Sequence, residues 1–218
     1  MTYLPALIES VPELWKGLLL TLRLVAVSAP AGLAVGIVLG LTQVYGNLFF
    51  GGLAAGFQLT VRGVPLIVQL FILYYGLPHV GITMTPFVAA TLGFTLCSGA
   101  YHSQYIRGAI LSIPDGQMDA GRAMGMGLLQ TVRSIILPQV FRRALPGCSN
   151  EIVYLIKYSS LAYLVTLVDL TGQGRLIAYE SFRFLETFFV VGLVYLVLVT
   201  LATSVLRAIE RRLHIPPA

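Results

Sequence analysis

The sequence predicts an all-α membrane protein of five transmembrane helices, with a short cytoplasmic helix between the third and the fourth. Three observations carry that expectation. Of the 218 residues, 57% are hydrophobic and only 11% charged, where a soluble domain is about one quarter charged. Between Arg23 and Arg62 there are 38 residues without Asp, Glu, Lys or Arg, and between Arg62 and Arg107 another 44, whereas an apolar helix crosses hydrocarbon in about 20. Eight of the fourteen basic residues fall in two stretches, Arg107, Arg122, Arg133, Arg142 and Arg143 in one and Arg207, Arg211 and Arg212 in the other. The positive-inside rule assigns both stretches to the cytoplasm.

The first span is expected over 16–43, with Pro30 tolerated because a membrane helix re-satisfies the freed carbonyl locally. Gly46-Asn47 ends it and Gly51-Gly52 prolongs the break. The second span, 56–77, leaves at Leu77-Pro78-His79, and the third, 86–107, starts at Pro86, which suits a first helical turn. The stretch between Pro114 and Pro138 is too polar to cross. The fourth span, 148–168, carries Glu151 and Lys157 and should face protein or a cavity. Thr171-Gly172-Gln173-Gly174 reads as the loop after it, and 187–206 is twenty residues without a charge.

Five spans put the ends on opposite sides, so basic clusters inside place the N-terminus outside and the C-terminus inside. The outer segments then hold Glu9, Glu13, Asp169, Glu180 and Glu186. Glu9 and Glu13 ahead of Lys16, and the long apolar run after Arg23, are unlike a cleavable signal. No internal repeat is visible, and residues 1–218 read as a single domain.

Composition also excludes. The net charge of +5 reports orientation rather than a nucleic-acid partner. Cys97 and Cys148 suggest no disulfide framework and read as small packing residues. His79, His102 and His214 are scattered with no Cys or carboxylate at ligand spacing, so no metal site is expected. A membrane phosphatidyltransferase needs further aspartates to hold divalent metals, and none lies between Asp119 and Glu151. No G-x-x-x-x-G-K-[ST] phosphate loop is present, so the chain reads as no enzyme and any ATP is hydrolysed on a partner.

The polar stretch is the most informative. As a helix, 117–127 places Ala120, Ala123, Met124 and Gly127 on one stripe, with Gly121 and Gly125 beside it. Small residues admit another backbone closely, which suits a knob for a partner's groove. The same composition also suits an amphipathic helix lying on lipid. The spacing Asp119-Ala120-Gly121, three residues, Gly125, nine residues, Ile135, one residue, Leu137-Pro138 resembles the EAA loop of the permease subunits of ATP-binding-cassette importers. Asp119 and Gly121 depart from that pattern, and the glycine is expected to loosen the helix by about 1 kcal/mol relative to alanine. Val61-Arg62-Gly63-Val64-Pro65-Leu66-Ile67-Val68-Gln69-Leu70, Ser98-Gly99-Ala100-Tyr101 through Arg107-Gly108, and Lys157-Tyr158-Ser159-Ser160-Leu161 are similar to the FRGTPLLVQL, SGAYLAEIFRG and KDTSL segments of the polar amino acid permeases of that group.

The resemblance implies a type I importer fold in a bacterial cytoplasmic membrane. It implies a second permease subunit, identical or homologous, and two ATP-binding-cassette ATPase subunits that hold ATP and Mg. An extracytoplasmic substrate-binding protein and the membrane lipid complete the set of partners. Asp119, Ala120, Gly121, Ala123, Met124, Gly125 and Pro138 are then the ATPase-coupling residues. Arg62, Gln69, Tyr101, Gln104, Lys157 and Ser160 fall where the family lines its translocation path. For Arg62, capping or headgroup contact is the plain alternative; Lys157 could pair with Glu151 or snorkel, and Tyr101 and Ser160 could simply pack. Gln104 and Tyr158 stand where the family has Glu and Asp, which favours an acidic or neutral polar amino acid over a purely cationic one. The competing function is a secondary transporter or channel that works without ATP, for which internal pseudo-symmetry would be expected.

Overall fold

The computed structural model describes residues 10–213 of the chain, so Glu9 and His214 lie outside the described residues. The described residues form helices and no strand: α1 Val11–Tyr45, α2 Leu48–Gly63, α3 Leu66–Phe71, α4 Pro86–Leu111, α5 Gly116–Ala123, α6 Leu128–Thr131, α7 Leu137–Tyr158, α8 Leu170–Ser181 and α9 Phe184–Leu213. Wide π turns at Ile72–Gly76 and Val132–Ile136 follow α3 and α6, and tight 3-10 turns occupy Leu77–Val80 and Ser159–Val165. By length and apolarity, α1 and α9 among the described residues can each cross a membrane, and the number is up to four if each of two bent pairs, Leu48–Gly63 with Leu66–Val80 and Leu128–Val165 with Leu170–Ser181, is one span. Helix α4 has 26 residues, about 39 Å at 1.5 Å per residue, but its polar Ser98, His102 and Ser103, all fully buried, leave it less apolar than those spans.

Three boundaries differ from the sequence expectation. The chain breaks after the first helix at Gly46-Asn47, as expected, but Gly51-Gly52 do not prolong that break: they are inside α2, and the expected second span, 56–77, is itself interrupted at Val64-Pro65. Proline has no N–H to continue a helix and pushes the residue before it out of the helical region, while glycine is common within membrane helices. The helical stretch that contains the expected fourth span, 148–168, starts at Leu128, and its widened turn at Val132–Ile136 accommodates Pro138, the second residue of α7. Thr171-Gly172-Gln173-Gly174, expected as a loop, forms the first turns of α8.

The chain divides into two compact units, and α1, α4, α7 and α9 each contribute a segment to both. The first unit comprises residues to Pro30, Val64–Thr95 and Ile152–Thr203. Its core packs Leu24, Leu70, Phe94, Leu155, Ala162 and Val165, with a smaller cluster around Leu14, Leu170 and Val191. At Gly17 a side chain would meet the Asp169 carbonyl at 2.8 Å, so that glycine lets two backbones touch. The second unit comprises Ala31–Gly63, Leu96–Glu151 and the segment after Ser204. Its core joins Ile106, Ile110, Ile113, Ile136, Val140 and Ala144, and Gly40 and Gly99 admit Ile106 and Val35 at 2.9 and 2.6 Å from the missing Cβ.

Asp169 is fully buried and is not an outer surface charge. Its Oδ1 accepts the Gly172 N–H at 2.9 Å at the start of α8, and Tyr195 donates its hydroxyl to Oδ2 at 3.2 Å. The Leu170 N–H donates to Thr21 Oγ1 at 3.2 Å, so a second orphan donor of that helix start is satisfied from α1. Asp169→Ala should lower stability by about 1–2 kcal/mol, read as earlier thermal unfolding of the purified protein. Asp169→Asn, whose amide oxygen still accepts, should lose less. Equal losses would remove the capping role.

Candidate functional sites

The first candidate is the short helix α5. Of its residues and those just after it, Asp119, Ala120, Ala123, Met124 and Gly125 are exposed, as are Leu128 and Leu129 beyond them. Gly121 alone is buried, because its α-carbon packs on the Thr131 side chain of α6, where an added Cβ would meet Oγ1 at 2.8 Å and Cγ2 closer still. The glycine expected to loosen the helix therefore closes it onto its neighbour. The helix is also shorter than the expected 117–127: it stops at Ala123, and Gly125 turns left-handed at φ 76°. Only glycine adopts that conformation without cost, and it lets the Met126 N–H bond back to the Gly121 carbonyl at 3.0 Å, the closing bond expected of such a helix end. Met118 packs into the core with Ile113 and Ile136, and Arg143 ties Ser112 to α7 by donating to its hydroxyl at 3.0 Å. Asp119, Ala120, Ala123, Met124 and Gly125 thus form one exposed surface. Gly121 supports it from behind, and Pro138 is exposed on α7.

The second candidate lies in the second unit, where α2 and α4 bring Arg62 and Tyr101 together. The Arg62 guanidinium sits over the Tyr101 ring, 4.8 Å from its centroid, a cation–π contact that partly replaces lost hydration. Glu151 of the same unit is buried, at 2% exposure. In this unit a cavity of about 470 Å³ is lined by Gln43, Gly51, Ala55, Gln58, Gln104, Arg107 and Gly108. Gln104, expected on the path, is therefore a wall of this cavity. Gln43 and Gln58 were not singled out in the sequence, although polar amides inside a 38-residue uncharged run are a signal that could have found them.

The remaining path residues belong to the first unit. Gln69 donates its amide to the Val64 carbonyl at 2.8 Å, satisfying the chain where Pro65 interrupts it. The Lys157 ammonium lies over the Tyr154 ring at 4.5 Å, and Tyr154 stacks on Tyr158. Ser160 donates back to the Lys157 carbonyl at 2.7 Å, a local bond that any serine in a tight turn can make. Tyr75 donates to the Leu164 carbonyl at 3.0 Å, and Tyr74 shares a 2.9 Å bond with Thr166, whose φ of 62° marks the break before α8. The two tyrosines come from the π turn after α3, and such turns recur at functional places.

A helical membrane chain with interrupted spans, polar side chains inside them and a short exposed helix has the architecture of a membrane permease. The chain belongs to the family of binding-protein-dependent transport system inner membrane components, whose model matches residues 32–215. It is 34% identical over 212 residues to the glutamine transport system permease protein of Escherichia coli K12, covering 96% of this chain and 97% of that one. It is 35% identical over 209 residues to the arginine transport system permease protein of Bacillus subtilis 168, covering 95% of each. Among solved structures, a chain of an amino acid ABC transporter crystallised with histidines matches with a TM-score of 0.89 at 28% identity, covering 97% of this chain and 99% of that one. A chain of the methionine ABC transporter shares the fold at a TM-score of 0.82 and 22% identity, covering 94% and 98%. These likenesses identify an amino acid ABC transporter permease, a role in which ATP hydrolysis lies on a separate subunit.

The Gly121–Thr131 contact generates a test. Gly121→Val should detach α5 and expose it to protease, and adding Thr131→Ala, which removes the atoms in the way, should restore much of the protection. Limited proteolysis of the purified protein reads both; a double variant as sensitive as Gly121→Val alone would show that the contact does not hold α5.

Proposed function

We propose that this chain is the transmembrane subunit of an ATP-driven importer for a polar amino acid, acidic or neutral rather than purely cationic. A second permease subunit completes the translocation path, two ATPase subunits bind the cytoplasmic face with their ATP and Mg, and an external binding protein delivers the solute. The observation that carries the reading is the exposed surface of Asp119, Ala120, Ala123, Met124 and Gly125, fixed from behind by Gly121 on Thr131. Its small side chains suit entry into a cleft, and a rigid mount passes displacement on rather than absorbing it. In this reading α4 joins the four apolar candidates as the fifth span, with the N-terminus outside and the basic stretch 107–143 inside.

The solute leaning comes from side chains. The relatives named for glutamine and for arginine are about equally similar, at 34% and 35% identity, so their names do not separate the classes. The cavity wall of Gln43, Gln58, Gln104 and Arg107 includes no carboxylate, and Arg62 and Lys157 add cations elsewhere. Such groups favour a solute carboxylate and give a cationic side chain no partner.

Reconstitution of the whole complex in proteoliposomes tests the reading. Uptake of labelled amino acid should require ATP inside and the binding protein outside, and uptake without ATP would support a secondary transporter instead. Ala123→Arg, on the exposed face of α5, should cut ATP-driven uptake roughly thirtyfold or more, as for a central interface residue, with normal membrane insertion. Gly125→Arg should do the same. Full uptake in both would remove the coupling role.

A further inference from the structure

We infer that the cavity walled by Gln43, Gln58, Gln104 and Arg107 is a second solute subsite, distinct from Arg62 and Tyr101, that takes the carboxylate and the amide or acid side chain of a monoamino amino acid. The inference rests on the reading of the chain as an amino acid permease and deepens it. Three observations support it. The cavity holds about 470 Å³, inside the range of roughly 300–1,000 Å³ typical of small-molecule sites. It also presents polar groups that the protein leaves unused. Gln58 is 8% exposed, lines the cavity and makes no hydrogen bond among the described residues, so its amide is free to meet a solute there. On the same wall the Nε2 of Gln43 is buried without a partner, which costs free energy and which a small turn of the side chain towards a polar solute would relieve.

The third observation is register. Gln58 lies four residues before Arg62 on α2, and Gln104 lies three residues after Tyr101 on α4. Such spacings put side chains on one helical face, so at Gln58 and Gln104 the cavity continues the face that carries the Arg62–Tyr101 contact, and Arg107, three residues past Gln104, carries it further round α4. A solute leaving that contact meets amides next and the Arg107 guanidinium beyond. Arginine's planar fork matches a carboxylate in two parallel bonds, and each glutamine offers two donors and an acceptor, the complement of an amide or carboxylic side chain. Gly51 and Gly108 contribute no side chains to the wall, which keeps room for backbone-sized groups.

The test uses the reconstituted complex with glutamine, glutamate and arginine as probes. Gln58→Leu should lower glutamine uptake roughly tenfold, and Gln58→Glu, which adds a carboxylate to the wall, should shift the glutamine-to-arginine uptake ratio towards arginine by a similar factor. As an independent readout, Ala55→Cys on the cavity wall should react with a maleimide in the nucleotide-free complex, and millimolar glutamine should slow that reaction. Cys97 and Cys148 are buried, so the parent complex supplies the background. ATP-dependent uptake with neither a changed ratio nor protection would overturn the subsite and leave the importer reading standing. Protection without ATP-dependent uptake would support the subsite and sink the importer reading. Neither protection nor uptake would sink both.

Discussion

Inside a bilayer no water completes a backbone hydrogen bond, so every interruption of a helix must be satisfied by protein. Two breaks among the described residues have such a device, and the exposed end of α5 has a third. Pro65 interrupts the chain after α2, and Gln69 donates its amide to the Val64 carbonyl left there. Thr166 reverses the backbone before α8, and Asp169 and Thr21 take two of the exposed N–H groups of that helix. Gly125 closes the end of α5 in a left-handed turn. Some of the buried polar residues, Thr21 and Asp169 among them, are therefore consequences of where the helices stop. A side chain such as Gln69, placed on the path by resemblance, already has one structural duty.

Close approach is the second consequence of the same constraint. Apolar side chains gain little by leaving lipid for protein, so association depends on packing and on small residues that let helices touch. Gly17, Gly40 and Gly99 each stand where a methyl group would collide with a neighbouring segment. Gly121 uses the same device at the polar end of the chain, where it brings α5 onto Thr131. In an isolated helix glycine weakens; here it removes the only atom that would hold the helix off its support.

That difference marks the limit of what the sequence made legible. Charge-free runs and basic clusters were enough for an all-helical membrane chain, because lengths and desolvation costs are set by the bilayer. The spacing from Asp119 to Pro138 located the exposed helix, because it needs only small residues at a helix end. The breaks were harder. Gly51-Gly52 stay helical and Val64-Pro65 breaks the chain inside the expected second span, because proline lacks the N–H a helix needs whereas glycine is tolerated within membrane helices. Asp169 read as an outer charge because a carboxylate in a loop is usually solvated, whereas its partners Gly172 and Tyr195 come together only in the fold. Gln43 and Gln58 passed as minor exceptions within a long apolar run for the same reason: their shared cavity exists only once α1 and α2 are side by side.

The chemistry of that cavity suits a passage better than a trap. A row of full charges would hold an oppositely charged solute tightly, and release would be slow because differential binding sets the barrier to leaving. Neutral amides offer hydrogen bonds of moderate net strength and can exchange one solute group for another along the wall. Where this unit does keep a cation, at Arg62, the Tyr101 face already answers part of it. A solute carboxylate reaching Arg62 must compete with that ring, which weakens the contact and lets it be broken. An amide-lined wall on the same helices as a guanidinium that already faces an aromatic ring therefore gives recognition without permanent capture, the balance that any path through a membrane protein has to strike.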